Sequence, residues 1–179
     1  MALNAYLKFG DIKGESLDDK HKDEIDVLSF SWGVTQPGSA GGGGKVSMQD
    51  FDFVLKVDKS SPLLYKVCAT GEHIKEATLT VRKAGKGQQD YLKYKFEDIV
   101  ITSFAPATKA DLAGIIGEDT LQTNQGVPGA IATVSPMASD AIASMGTSLR
   151  PRKVGHSVLG ADGKWIEFDF DFAPGEIIP

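Results

Sequence analysis

The 179-residue chain has a single cysteine, Cys68. Without a second thiol there is no intramolecular disulfide and no cysteine-rich metal site, so Cys68 reads as a buried thiol acting as a small hydrophobe. Long apolar runs are missing too. Nothing approaches the ~18–20 residues that a membrane helix needs, so no membrane insertion is expected. Residues Met1–Glu15 lack a basic region followed by a long apolar one, and so do not read as an export signal. A basic excess is also absent: 19 Lys and Arg stand against 24 Asp and Glu, a net charge of −5, which argues against a nucleic-acid partner. Prolines number only eight, without a triplet repeat of the twenty glycines, which excludes collagen.

What is present is glycine, at about 11% against a usual ~7%, together with short apolar alternations. Length and composition suit one domain over residues 1–179. Charge is segregated: residues 1–60 carry 7 basic and 10 acidic side chains, 61–110 carry 8 and 5, and 111–179 carry 4 and 9. Such a split can orient one copy of a chain against another.

Alternation predicts strands over 3–9, from Glu24 with Leu28, Phe30, Trp32 and Val34 on one face, over 46–57, and over about 74–83 and 90–104. A last strand, Lys164–Phe172, follows the Asp162-Gly163 turn signal, with Ile166, Phe168, Phe170 and Phe172 alternating with Trp165, Glu167, Asp169 and Asp171. One helix is predicted, capped by Ser60 or Ser61, with Pro62 in its first turn, Leu63, Leu64, Val67 and Cys68 at a 3–4 spacing, and Gly71 as its stop. Thr120–Leu149 holds one charged residue, Asp140; it reads either as a loose excursion or as a short helix from Ser135-Pro136 through Met137, Ala141 and Met145 to Gly146. Six strands and a helix predict a mainly β fold, a small barrel or sandwich with one helix packed against it.

Catalytic motifs fail one by one. The glycines ending in Lys45 are no P-loop, because Ser39 stands where a glycine is required and Val46 where Ser or Thr is required. His21, His73 and His156 form no metal-binding pair, and a Cys68–His73 dyad has no supporting context. Asp169 and Asp171 share a strand face but read as the solvated side opposite the phenylalanines. No catalytic residue, metal ligand or cofactor is expected. A barrel with long strands, segregated charge and a flexible loop suits head-to-tail contacts between copies.

Several stretches carry a resemblance: LKFGDIKGES (Leu7–Ser16), DEIDVLSFSWG (Asp23–Gly33), the glycine loop into KVSMQDFDF (Lys45–Phe53), VDKSSPLL (Val57–Leu64), CATGEHIKEATLTVRKAGKGQ (Cys68–Gln88) and YLKYKFEDIVITS (Tyr91–Ser103). In this order they resemble the haemolysin-coregulated protein (Hcp) family, the tube subunit of bacterial type VI secretion. The match covers about residues 1–105, with Gly117-Glu118-Asp119 looking like a turn of that family. The C-terminal third departs: where the family continues with a long charged strand, this chain has a low-charge stretch, so 120–160 reads as an insertion or replacement.

The resemblance implies a small β-barrel of two sheets with one flanking α-helix, assembling as a hexameric ring. Rings would stack into a tube with a spike tip, a surrounding sheath and effector proteins in the lumen, and the subunit would itself leave the cytoplasm without a signal peptide. It maps the family's extended loop, which reaches a neighbouring ring, onto Pro37, Gly38, Ser39, Ala40, Gly41, Gly42, Gly43, Gly44 and Lys45. Glycine suits such a docking loop because it permits close backbone approach. A second expectation is an adaptor whose divergent C-terminal third binds an effector or the spike.

Overall fold

A computed structural model describes residues 4–36, 46–83, 87–106, 144–172 and 176–178. The strands arise where apolar residues alternate. In β1 (Asn4–Phe9), Ala5, Leu7 and Phe9 are buried, and in β5 (Phe51–Lys56) Phe51, Phe53 and Leu55 are. β6 (Ile74–Arg82) and β7 (Asp90–Pro106) add Leu79, Val81, Tyr94 and Phe96 to the same interior. Facing rings fill it, with Phe51 and Phe96 at 4.6 Å edge to face, the arrangement aromatic quadrupoles favour.

β2 (Ile25–Ser31) is out of phase with its expected face. Ile25 and Val27 are buried, a register shift falls between Val27 and Ser29, and Phe30 and Trp32 then pack against the core. A bulge adds a residue to one strand and so swaps the side it presents. The chain continues into β3 (Val34–Thr35), which pairs with β4 (Ser47–Met48) as a separate two-stranded sheet.

β8 (Ser144–Leu159) is the main departure from the sequence reading. The stretch expected as an insertion over 120–160 ends in barrel wall, and Met145 and Gly146, expected at a helix end, lie within this strand. Residues 107–143 lie outside the described residues. β8 pairs with β7 along most of its length and with β5 at Ser144–Leu149. That closes a six-stranded antiparallel barrel in the order β8, β5, β2, β1, β6, β7 and back to β8. Two further strands, β9 (Trp165–Asp171) and β10 (Glu176–Ile178), extend the same sheet from β8.

The helix α1 spans Ser61–Thr70 and packs on β7, burying Leu64 and Val67. Ser60 holds the N-cap position, but its side chain makes no capping hydrogen bond. The Asp58 carboxylate accepts from the Ser60 backbone N–H at 2.8 Å, and Ser61 Oγ accepts from the Asp58 N–H at 3.0 Å. Gly71 ends the helix at φ 67°, a left-handed conformation that costs glycine little.

Between β1 and β2 the chain lies flat on the barrel, pinned by a polar network. Arg82, 5% exposed, sends Nη1 to both Asp18 oxygens at 2.8 Å and Nη2 to the Gln88 carbonyl at 2.8 Å; its Nε lies 3.0 Å from Asp90 Oδ1. Burial opposes the Asp18 charge, but the Lys20 N–H, the Arg82 guanidinium and the Tyr6 hydroxyl outweigh it and hold the carboxyl below its usual value. Gly14 is obligatory here, since a Cβ would stand 2.4 Å from the Glu24 carbonyl oxygen.

Candidate assembly surface

The predicted stacking loop, Pro37–Lys45, lies outside the described residues. Its base is described: the β3–β4 ribbon pairs Val34 with Met48 and Thr35 with Ser47, and Gln49 N–H donates to the Gly33 carbonyl at 2.9 Å. Trp32, stacked on Phe51 at 4.8 Å, roots the ribbon in the core. Any segment carried on this ribbon is therefore anchored at both ends by the barrel.

A polar row crosses the outside of β5, β8 and β7. Arg150 Nε and Thr102 Oγ1 both donate to Asp50 at 2.7 Å, Ser103 Oγ donates to Ser148 Oγ at 3.0 Å, and Ser148 bonds to Asp52. These groups satisfy one another. His73 pairs with Asp98 at 2.7 Å, and among the described residues no three His, Cys, Asp or Glu side chains gather to hold a metal.

β9 carries a feature that its alternation shows only in part. Its register sets Val154, His156 and Val158 of β8 opposite Phe170, Phe168 and Ile166, while Phe96, Tyr94 and Leu92 of β7 lie across from the same β8 residues. The apolar row of β9 thus continues the inner face of the sheet. The barrel has already closed, however, because β5 leaves β8 at Leu149. Ile166 is 68% and Phe168 53% exposed, with Val158 exposed beside them. Asp171, expected on the solvated side, is buried between Arg152 and Lys153, at 3.5 and 4.0 Å. β10 pairs with Asp169–Asp171 only, so among the described residues the outer edge of Trp165–Phe168 has no strand beside it.

His156 sits at the root of this shoulder, stacked on Tyr94 at 4.6 Å with Trp32 edge-on at 6.4 Å. Burial lowers its pKa, which keeps the ring neutral and the shoulder apolar at neutral pH. The periodicity of β9 and its inward side were visible in the sequence; the exposure of that side was not, because it depends on where the barrel closes.

A closed six-stranded barrel with a filled interior and a flanking helix defines the class, a small mainly β-barrel protein. Comparison gives the particular family. The family model for the type VI secretion system effector Hcp matches residues 6–127. The protein hcp1 of Pseudomonas aeruginosa is 42% identical over 130 residues, covering 69% of this chain and 76% of that one. The crystal structure of Hcp1 from Salmonella typhimurium aligns over 99% of this chain and 100% of its own, with a TM-score of 0.72 and 32% identity. A type VI secretion system effector from Yersinia pestis aligns over 94% and 99%, at TM-score 0.68 and 27% identity. The chain belongs to the Hcp family of type VI secretion tube and effector proteins, a family of secreted structural proteins. The likeness reaches further along the chain than residues 1–105, since the structural alignment to the Salmonella protein covers nearly all of it. No helix among the described residues is long and apolar enough to cross a membrane.

Proposed function

We propose that this chain is a ring-forming tube subunit with no catalytic step. Copies join side by side into a hexameric ring, rings stack through Pro37–Lys45, and the lumen carries effectors behind a spike and inside a sheath. The subunit is made in the cytoplasm and exported by the type VI machine without a signal peptide. It acts as one domain over residues 1–179, in which 107–143 connects β7 to β8.

The observation that supports this most is the apolar shoulder of β8 and β9, left uncovered among the described residues. An exposed strand edge backed by Ile166 and Phe168 invites a second chain, and a head-to-tail contact whose rotation closes gives a ring. Family membership supplies the second copy as the occupant. Native mass spectrometry and negative-stain microscopy over a dilution series test the reading. Rings are expected at micromolar concentration; a strict monomer at every concentration would overturn it.

A further inference from the structure

We propose that His21 is a protonation-dependent strap that fastens the segment between β1 and β2 to the start of β7, by bridging Glu24 and Asp90. The ring is 6% exposed and lies parallel to the Tyr6 ring at 4.5 Å. Its Nδ1 is 2.9 Å from Glu24 Oε2, and its Nε2 is 3.4 Å from Asp90 Oδ1. Both partners are carboxylates, which only accept. An imidazolium donates from both nitrogens, whereas a neutral imidazole donates from one and turns a lone pair toward the other partner. Glu24 is the nearer acceptor and lies three residues away on the same segment. The bond given up on deprotonation is therefore the one to Asp90, which joins the segment to β7.

The neighbours leave this role to His21. From its own segment Asp18, Lys20 and Glu24 stand nearby, β1 contributes Tyr6, β6 contributes Arg82, and β7 contributes Asp90 and Lys93. Arg82 is spent on Asp18, Asp90 and the Gln88 carbonyl, so it does not reach for Glu24. Lys93 meets Asp90 through the other carboxylate oxygen, at 3.5 Å. Burial and the Asp18 carboxylate raise the Tyr6 pKa, and Asp18 is held low, so both keep their charge state around neutrality.

What the strap holds is specific. The segment is folded on itself by Ser16 N–H to the Glu24 carbonyl at 3.0 Å and Asp23 N–H to the Ser16 carbonyl at 3.2 Å, and it displays a fully exposed Leu17. With the strap fastened, Leu17 stands on a rigid base; with it loosened, the base opens locally while the barrel pairing stays intact. Acid fastens it and alkali releases it.

The test follows amide protection factors, normalised for intrinsic exchange, at Ser16, Asp23 and Glu24 from about pH 5 to about pH 9, while the His21 ring proton reports its titration by NMR. Protection at these amides is expected to fall about tenfold with the midpoint of the His21 titration, while Leu79 and Phe96 in the barrel stay constant. In His21→Gln the same amides should show no pH step. Constant protection through the wild-type imidazole titration would overturn the proposal, as would an identical pH step in the glutamine variant. The wild-type titration decides the matter even if that variant folds poorly.

Discussion

Replacing Ile166 and Phe168 with threonine removes apolar surface from the β9 shoulder and keeps residues that favour strands. Full burial of an Ile or Phe side chain is worth about 1.5–3 kcal/mol. The shares that the subunit leaves exposed, 68% and 53%, scale this to about 1–2 kcal/mol for each side chain when a second copy covers it. The double variant then loses about 2–4 kcal/mol per contact, roughly 30- to 700-fold in the copy-to-copy dissociation constant. Threonine retains one methyl group, which moves the expectation toward the lower end. Folding should be spared, because exposed substitutions usually lie within about 0.5 kcal/mol. Sedimentation velocity over a dilution series reads the contact, and urea unfolding of the dissociated subunit reads the fold. Rings that dissociate at wild-type concentration with both side chains replaced would refute the shoulder as the contact. So would a loss of rings matched by an equal loss of subunit stability.

Deleting Gly41–Gly44 should shorten or abolish stacks in negative stain while leaving single rings; unchanged stacks would remove Pro37–Lys45 from ring-to-ring contact. Arg82→Met leaves Asp18 and Asp90 without their buried partner and should cost about 2–4 kcal/mol in urea unfolding, somewhat below the ~3–5 typical of a fully buried pair because both carboxylates keep some water. The sign with pH follows from Asp18: its folded pKa is depressed, so its contribution is full above the unfolded value of about 3.9 and is lost as pH falls through the folded one. Wild type should therefore lose stability on acidification in that window and Arg82→Met should lose less; equal slopes would refute the pairing.

Much of the barrel was legible because large apolar residues recur at every second position of its strands. Leu7 and Phe9 in β1 and Phe51, Phe53 and Leu55 in β5 face the core as their spacing requires. The helix was legible from punctuation, with Pro62 inside its start and Gly71 past its end. Ser60 stands at the N-cap as its position suggests, but its hydroxyl donates to Asp58 and leaves the first-turn N–H groups without a side-chain cap. β2 was misphased by a bulge, which depends on the partner strand. β8 was invisible for a plainer reason. Its buried face reads Met145, Thr147, Leu149 and Pro151, and its other face Ser144, Gly146, Ser148, Arg150 and Arg152, so the first half, with small residues on both sides, shows little contrast in polarity. A proline on the inward side further argues against a central strand.

The proposed assembly surface left no motif because strand length creates it. β8 runs 16 residues, about 50 Å at the rise of an extended chain, whereas β1 and β5 run six each. The first part of β8 completes the barrel against β5 and β7. The remainder has no barrel strand left to pair with on its far side and takes β9 instead. Residues there keep the inward periodicity of a core strand but lie past the closed wall, so Ile166 and Phe168 face a space that none of the described residues fills. The same alternation that packs the barrel therefore offers apolar surface to another chain, and the length of β8 decides where one role gives way to the other.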